Sequence, residues 1–581
     1  MNPIIRKRIG DPRSQQKRPI QNHHMPKDGA LRIIPLGGFG EVGRNMMILE
    51  YQDDILVIDM GFRFPEEDMP GVDYIIPNVQ YLEDKKDKIR ALVVSHGHYD
   101  HIGAIPYLIG RIGNPIIYTA PLTAGIIRKR QEDFPGQPRL KIITVRDGEM
   151  LTLGMMTLEF FHVNHNIPDD LGIRIKTPVG TLVHTSDFKI DLNPVNDKPM
   201  DLKKLERWGK EGVHLLLGDS TGAEKEGHSI SEGDIQGNLE SIFKQAGGRI
   251  IAATFSSLIN RVQQLANISE KFGRKVVLVG YSMKTNIEIA KELGYFKTKK
   301  GLFIDSKELR HYKDNQITII CTGAQGEDNA ALIRIANKEH REVQIQKGDT
   351  VIFSSSVIAG NERAVQGVKD TLYRHGAKVF HYQMMDIHAG GHGQREDLDM
   401  LIKLLNPRFL IPIHGNYSML VEHAELAKRN GIPEKNILIM DNGRIAKVTR
   451  ESISIEKESV PANYIMVDGL GIGDIGEVVL RDRQVLSRDG MFVVIAIIDS
   501  QTGKVRGNPD IISRGFIYLR ESKDLLDQVR RRVRKIVEDS TQETRPVNWT
   551  YTRDQIREKI GQFLYSKTER RPMVLPVVIE I

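Results

Sequence analysis

Cysteine is almost missing from this chain: Cys321 is the only one in 581 residues. No intrachain disulfide can form, and thiolate is not available as the repeated ligand of a metal centre. Long apolar runs are missing too. None reaches the roughly 18 residues that a membrane-spanning helix needs. The opening MNPIIRKRIG is basic but has no apolar core, so no signal peptide is expected. These absences predict a cytoplasmic protein with no membrane partner. The 40% hydrophobic and 27% charged content is that of a globular protein, and the length calls for several domains.

The net charge of +7 is unevenly spread. Residues 1–29 carry seven Lys or Arg against two Asp, a surplus of +5, in a stretch rich in Pro, Gln and Asn. They read as a disordered basic arm, either a solvated tail or an arm that attracts a polyanion.

LGGFGEVGRN contains Gly38-x-Gly40-x-x-Gly43, the pattern of a dinucleotide-binding turn, and Asp59 ends the apolar run ILVID. That fold needs a helix between the glycines and the acid. Here NMMILEY follows almost at once, then the turn QDD, so a β-hairpin is predicted and NAD binding is rejected. The glycines are expected to serve tight backbone turns.

VVSHGHYDHIGA places His96, His98, Asp100 and His101 directly after an apolar strand-like run. Further ligand-type residues follow other such runs: His165 after TLEFF, Asp187 after GTLV and His414 after RFLIPI. His162 and His184 lie earlier in their strands and read as packing residues. Seven nitrogen and carboxylate donors without sulfur suit Zn²⁺ or Mn²⁺. They exceed one tetrahedral ion and suit two ions about 3.5–4 Å apart, with Asp187 as the bridge. The bland alternative, a polar loop, does not account for the strand context.

HGHYDH has the His-x-His-x-Asp-His pattern of the metallo-β-lactamase fold. Together with VIDMG, HNIPD, TSDFK and IPIHGNY in that order, the chain resembles the ribonuclease J family of the β-CASP branch, from about Leu31 to Ile581. The resemblance implies a metal-dependent ribonuclease with endonuclease and 5′-to-3′ exonuclease activity. It implies that His96, His98 and His165 hold one ion, that Asp100, His101 and His414 hold the other, and that Asp187 bridges them. Asp59 would orient a metal-binding histidine. Asp100 would also orient the attacking water. His392 would protonate the leaving oxygen, held by Asp219 of GDSTGAE unless Asp219 merely caps the next helix. His388 would contact a phosphate, with the backbone at Gly390. Ser354, Ser355 and Ser356 would cradle a phosphate, unless they are an ordinary helix-start loop.

Asp187 and His414 are 227 residues apart, too far for one compact hydrolase unit. Between them, strand-like and helix-like segments alternate in a doubly wound parallel pattern. The predicted architecture is α/β: a metallo-β-lactamase αββα sandwich in two parts (30–225 and 396–450), an inserted β-CASP domain (226–395), a linker (451–465) and a small C-terminal α/β domain (466–581). In the last, MFVVIAII, GFIYL and PMVLPVVIEI read as strands, and Thr552-x-x-Gln555 reads as a helix-capping box. The resemblance implies RNA as partner and a homodimer or homotetramer formed through this domain. It also shows departures. The family's His-x-Ser-Gly-His is here His388-Ala389-Gly390-Gly391-His392, its Gly-Arg-Ser-Met is Gly280-Tyr281-Ser282-Met283, and Tyr99 replaces an acid in the metal motif. Blunted selectivity for a 5′-monophosphate end is expected. A DNA-processing nuclease, a small-molecule hydrolase and a catalytically weakened RNA-binding scaffold remain competing readings.

Overall fold

The structure is a computed structural model that describes residues 29–66, 68–326, 330–355, 357, 361–469, 471–473, 476–542 and 548–581. Residues 1–28 of the expected basic arm and Ser356 lie outside them.

Two sheets face each other. The first has eight strands in the order Ile453–Ser459, Arg444–Val448, Leu31–Gly37, Met46–Tyr51, Asp54–Ile58, Ile89–Val93, Ile117–Thr119, Ile142–Thr144. The second has six: Phe409–Ile413, Leu215–Asp219, Gly180–His184, Leu171–Thr177, Met156–His162, Met150–Leu153. Side chains alternate across each strand. Ile33 joins Leu49, Leu56, Ile173, Leu215 and Ile411 in the core between the sheets, while its neighbour Ile34 packs outward with Ile48 and Val57. Both faces are therefore buried, which is why these strands read as continuous apolar runs. Helix Pro121–Gln131 covers the first sheet through Leu122, Ile126 and Ile127. Helices Leu202–Glu211 and Arg395–Leu405 cover the second through Trp208, Leu401 and Leu405. The result is an αββα sandwich.

Strand Met46–Tyr51 pairs antiparallel with both Leu31–Gly37 and Asp54–Ile58, which leaves no crossover helix for a dinucleotide fold. Strands Leu215–Asp219 and Phe409–Ile413 are parallel neighbours, with Asp219 opposite Ile413. The chain between them leaves the sandwich and builds a wholly parallel sheet in the order Lys275–Val279, Ile317–Cys321, Ile250–Ala253, Thr350–Phe353, Lys378–His381.

The chain beyond the sandwich differs from expectation at two places in the C-terminal unit and one in the linker before it. Strand Asp510–Arg514 takes the position expected of GFIYL, because Gly515 turns the chain at φ 70° and Phe516 is buried against Phe492. The last helix, Trp549–Thr568, begins one turn before the expected box. Asn548 caps it by accepting from the Tyr551 N–H at 3.1 Å, and Thr552 is buried within it. The stretch expected to be a linker contains Ile453–Ser459, which pairs with Arg444–Val448 at the edge of the first sheet.

Candidate active site

The site forms where strand ends meet. Gly180–His184, Leu215–Asp219 and Phe409–Ile413 run parallel side by side, so Asp187, Asp219 and His414 emerge together. His414 Nδ1 lies 3.1 Å from Asp187 Oδ1 and 3.5 Å from Asp219 Oδ1. On the facing sheet, Asp54–Ile58 and Ile89–Val93 are also parallel neighbours, which brings Asp59 to Ser95 and the histidine motif. Asp59, Ser186 and His414 leave their strands with φ of 59°, 58° and 49°. Non-glycine residues hold this left-handed conformation at a cost of about 1–3 kcal/mol, and such strain gathers at functional sites.

His96, His98 and His165 form one group. His98 Nδ1 is 3.0 Å from His96 Nε2 and 3.1 Å from His165 Nε2. The outer nitrogens of the flanking rings are engaged elsewhere. His165 Nδ1 donates to the Gly391 carbonyl at 2.7 Å, which leaves its Nε2 lone pair facing inward. His96 Nδ1 lies 3.1 Å from the Ser95 hydroxyl and 3.4 Å from Asp170. Burial, reinforced by neighbouring histidines, holds His96 and His165 well below the ordinary imidazole pKa, and burial brings His98 down to about 4. The group is a set of neutral nitrogen donors.

Asp100, His101, Asp187 and His414 form the second group. His101 Nε2 is 3.2 Å from Asp187 and 3.4 Å from Asp100, and His414 Nε2 is 3.4 Å from Asp100. Asp59 accepts from His101 Nδ1 at 2.8 Å and is itself fixed by the Ser95 N–H and hydroxyl at 2.8 and 2.9 Å. Burial opposes charge on His101 and His414, but the surrounding carboxylates, Asp187 first, outweigh it and raise both pKa values. Asp187 Oδ2 also reaches to 3.8 Å from His96 and 4.0 Å from His165, so it stands between the groups. Within each group the ligand atoms lie within 4.8 Å of one another. Converging imidazole and carboxylate donors without sulfur fit a divalent metal centre.

His392 stands at the rim. Its Nδ1 donates to Asp219 at 2.8 Å, and its Nε2 is 4.0 Å from Asp187. Burial lowers its pKa, but Asp219 and Asp187 outweigh that and raise it. Asp219 accepts from the Thr221 N–H at 2.9 Å in a turn, and the next helix starts only at Glu232, so Asp219 does not cap it.

The phosphate-contact candidates are placed differently. His388 is buried, and burial beside Arg261 lowers its pKa to about 3, making it a neutral hydrogen-bonding group. Gly390 is exposed. The Ser354 hydroxyl is buried and donates to the Ile387 carbonyl at 2.7 Å, while Arg261 donates to that hydroxyl. Ser355 is buried beside Gln325. The following helix begins at Glu362, so neither serine stands at its start. As a correction to the expected cradle, Ser354 secures the loop that carries His388.

Sequence reasoning missed Asn45 and Asp170. Asn45 Nδ2 lies 3.0 Å from His101 Nε2 and donates to Asp100 at 3.3 Å. The glycine pattern makes room for it: a Cβ at Gly38 would stand 2.2 Å from Asn45 Oδ1. Asp170 accepts from Ser186 at 2.6 Å and faces His96. The acid pair in HNIPDD was its only signal. His162 contacts the Lys198 carbonyl at 2.8 Å, and His184 is buried and accepts from the Ser186 N–H at 3.1 Å.

Fold and site together define a metal-dependent hydrolase of the metallo-β-lactamase fold. Residues 39–226 match the metallo-beta-lactamase superfamily, and residues 381–440 match the Zn-dependent metallo-hydrolase RNA specificity domain. Residues 247–372 match the beta-CASP domain of ribonuclease J, and residues 478–581 its C-terminal domain. Ribonuclease J 1 of Streptococcus pyogenes serotype M3 is 42% identical over 95% of this chain and 98% of its own length. Ribonuclease J2 of Bacillus subtilis is 36% identical over 95% of this chain and 99% of its own length. The chain belongs to the ribonuclease J family. A solved protein of unknown function from Enterococcus faecalis V583 shares the fold, with a TM-score of 0.52 at 18% identity over 72% of this chain and all of that one. No helix among the described residues is long and apolar enough to cross a membrane.

Proposed function

We propose that this chain hydrolyses RNA phosphodiester bonds in RNA maturation and decay, cutting internally and trimming from 5′ to 3′, with two divalent ions. Zn²⁺ is the first choice for so many imidazole donors; Mn²⁺ and Mg²⁺ are the alternatives. The observation that carries the reading is Asp187, within 4.0 Å of ring nitrogens from both groups. Ions held there would acidify a water and offset charge on the phosphate. Asp100 accepts the water's proton. His392, whose pKa its pairing with Asp219 raises, protonates the leaving 3′ oxygen. His388 and the backbone at Gly390 receive the terminal phosphate.

The donor set argues against a weakened scaffold, and the inserted and C-terminal domains argue against a small-molecule substrate. Incubation with Mn²⁺ or Zn²⁺ and 5′-phosphorylated RNA, 5′-triphosphorylated RNA and DNA oligomers tests the reading. Cleavage of DNA alone would overturn it. A cytoplasmic location accords with the lone buried Cys321.

Self-association through the C-terminal domain belongs to the same proposal. Strands Met491–Ile498 and Met573–Glu580 bury Phe492, Val494, Ala496 and Val574 against the helices. Ile497, Ile512, Leu575, Val577 and Ile579 on the other face are 37–44% exposed. An apolar sheet face of this kind suits a second copy. Truncation at about Ser459 is expected to shift the protein towards monomer in light scattering, read as the measured mass divided by the mass of one truncated chain.

A further inference from the structure

Two large exposed aromatics flank the junction of the sandwich and the inserted domain. Tyr99 lies between His98 and Asp100 and is 40% exposed; Tyr281 opens helix Tyr281–Glu292 of the inserted domain and is 76% exposed. Helix Pro121–Gln131 connects them. It packs behind the histidine motif, where Ile126 stands 3.0 Å from a Cβ built on Gly97, and it packs on the inserted domain, where Ile289 stands 2.6 Å from a Cβ built on Gly125. Its last turn carries Arg128, Lys129 and Arg130. The Arg130 guanidinium is 5.8 Å from the Tyr99 ring centroid, and the packing of Gly125 against Ile289 sets the helix that Tyr281 opens beside this one.

The Tyr99 ring is held in place. Phe62 lies nearly parallel to it, at 12° and 5.6 Å, and Tyr74 stacks on Phe62 at 4.4 Å. Phe62 is buried in a notch that needs Gly103, where a Cβ would meet its ring at 2.1 Å. A ring fixed in this way loses little freedom on binding a flat partner. The cations are partly compensated: Lys129 pairs with Glu132 at 2.7 Å, and Arg130 with Asp133 at 3.2 Å. Charge alone therefore gives this surface a weak grip, and the rings must supply the rest.

We propose that Tyr99 and Tyr281, with the basic turn Arg128–Arg130 between them, form a track on which nucleobases of single-stranded RNA stack as the strand enters the metal centre. The proposal rests on the ribonuclease reading and adds the group recognised, the base faces. Aromatic rings interleaved with cations bind single strands with little sequence preference, because every base has a π-face.

The test compares KM on a single-stranded RNA with KM on the same ribose-phosphate chain lacking its bases. Tyr99→Ala and Tyr281→Ala are each expected to raise KM on RNA by about tenfold, while the corresponding Phe variants stay near the parent. On the abasic chain the ratio of variant to parent should fall to near one. Tyr99 adjoins metal ligands, so metal content is measured for its variants; Tyr281 lies outside the ligand groups and is the independent arm. An Ala variant that matches the parent on RNA overturns the track, as does an equal loss on RNA and on the abasic chain, which would mark a charge or folding effect. A parent that cleaves neither substrate overturns the ribonuclease reading, and the track with it.

Discussion

The metal centre and the loops that the inserted domain lays over it are built to different standards. In the centre, His101 is fixed from both sides: Asp59 holds its Nδ1, Asp187 and Asp100 face its Nε2, and Ser95 holds Asp59. His165 is fixed through the Gly391 carbonyl. In the loops, Gly390 is exposed, His388 is neutral, and the Ser354 hydroxyl is already engaged by Arg261 and Ile387. The candidate metal ligands therefore sit in preorganised contacts, whereas the residues proposed to receive the RNA end have few. Substitutions in the first region should abolish turnover, and those in the second should only redistribute it among substrates.

The hardest test of that contrast is Asp187→Ala. It removes the one carboxylate shared by both groups, so metal content and hydrolysis should fall together, with activity down by at least about 10⁴-fold. Metal analysis beside a rate assay checks this; a variant that keeps its metal and its rate would remove Asp187 as the bridge. At the rim, His392→Ala should lower turnover by about 10²–10⁴-fold with metal content unchanged, because proton donation is lost and the ligands are not. Loss of metal in that variant would make His392 a ligand, as its place beside Asp187, Asp219 and His414 allows. A smaller effect is expected from Asp59→Asn. The histidine keeps a partner but loses the charged acceptor, and metal affinity should drop by about 10–100-fold. A metal titration followed by activity would read it.

The same contrast bears on what could be read in advance. The inserted sheet was legible because each of its strands is a short apolar run followed, in most cases, by an amphipathic helix, as in Ile250–Ala253 followed by Ile259–Lys271. The seven ligand candidates were legible because each follows a buried strand, and the structure brings them together. Asn45 and Asp170 were not, since their place depends on which strand ends become neighbours, and sequence spacing does not carry that. Thr552 misled because a capping pattern also occurs inside helices, where Asn548 one turn earlier competes for the role. Ser354 misled because a hydroxyl near a strand end can face inward as readily as outward, and this one donates to the Ile387 carbonyl.

The smallest predicted effect concerns the RNA end. A hydrogen bond to a charged group is worth about 1.5–3 kcal/mol. This chain has Ala389, Gly390 and Gly391 between His388 and His392, which offer no hydroxyl, and an uncharged Tyr281 at the start of its helix, which offers no cation. Ser354 is diverted to the Ile387 carbonyl, and His388 lacks the positive charge that would strengthen its contact to a phosphate. Few contacts are left to distinguish a phosphate from a hydroxyl at the 5′ end. The ratio of kcat/KM for 5′-monophosphate over 5′-hydroxyl RNA should therefore be no more than about 10²-fold, the upper value of a single surviving contact to a charged group. His388→Ala should reduce that ratio toward one while internal cleavage continues, since the metal ligands are untouched. A monophosphate preference of hundreds-fold that His388→Ala alone abolishes would mean that one buried neutral histidine does the work of a complete pocket, and the division between a firmly built centre and a sparse rim would no longer describe this molecule.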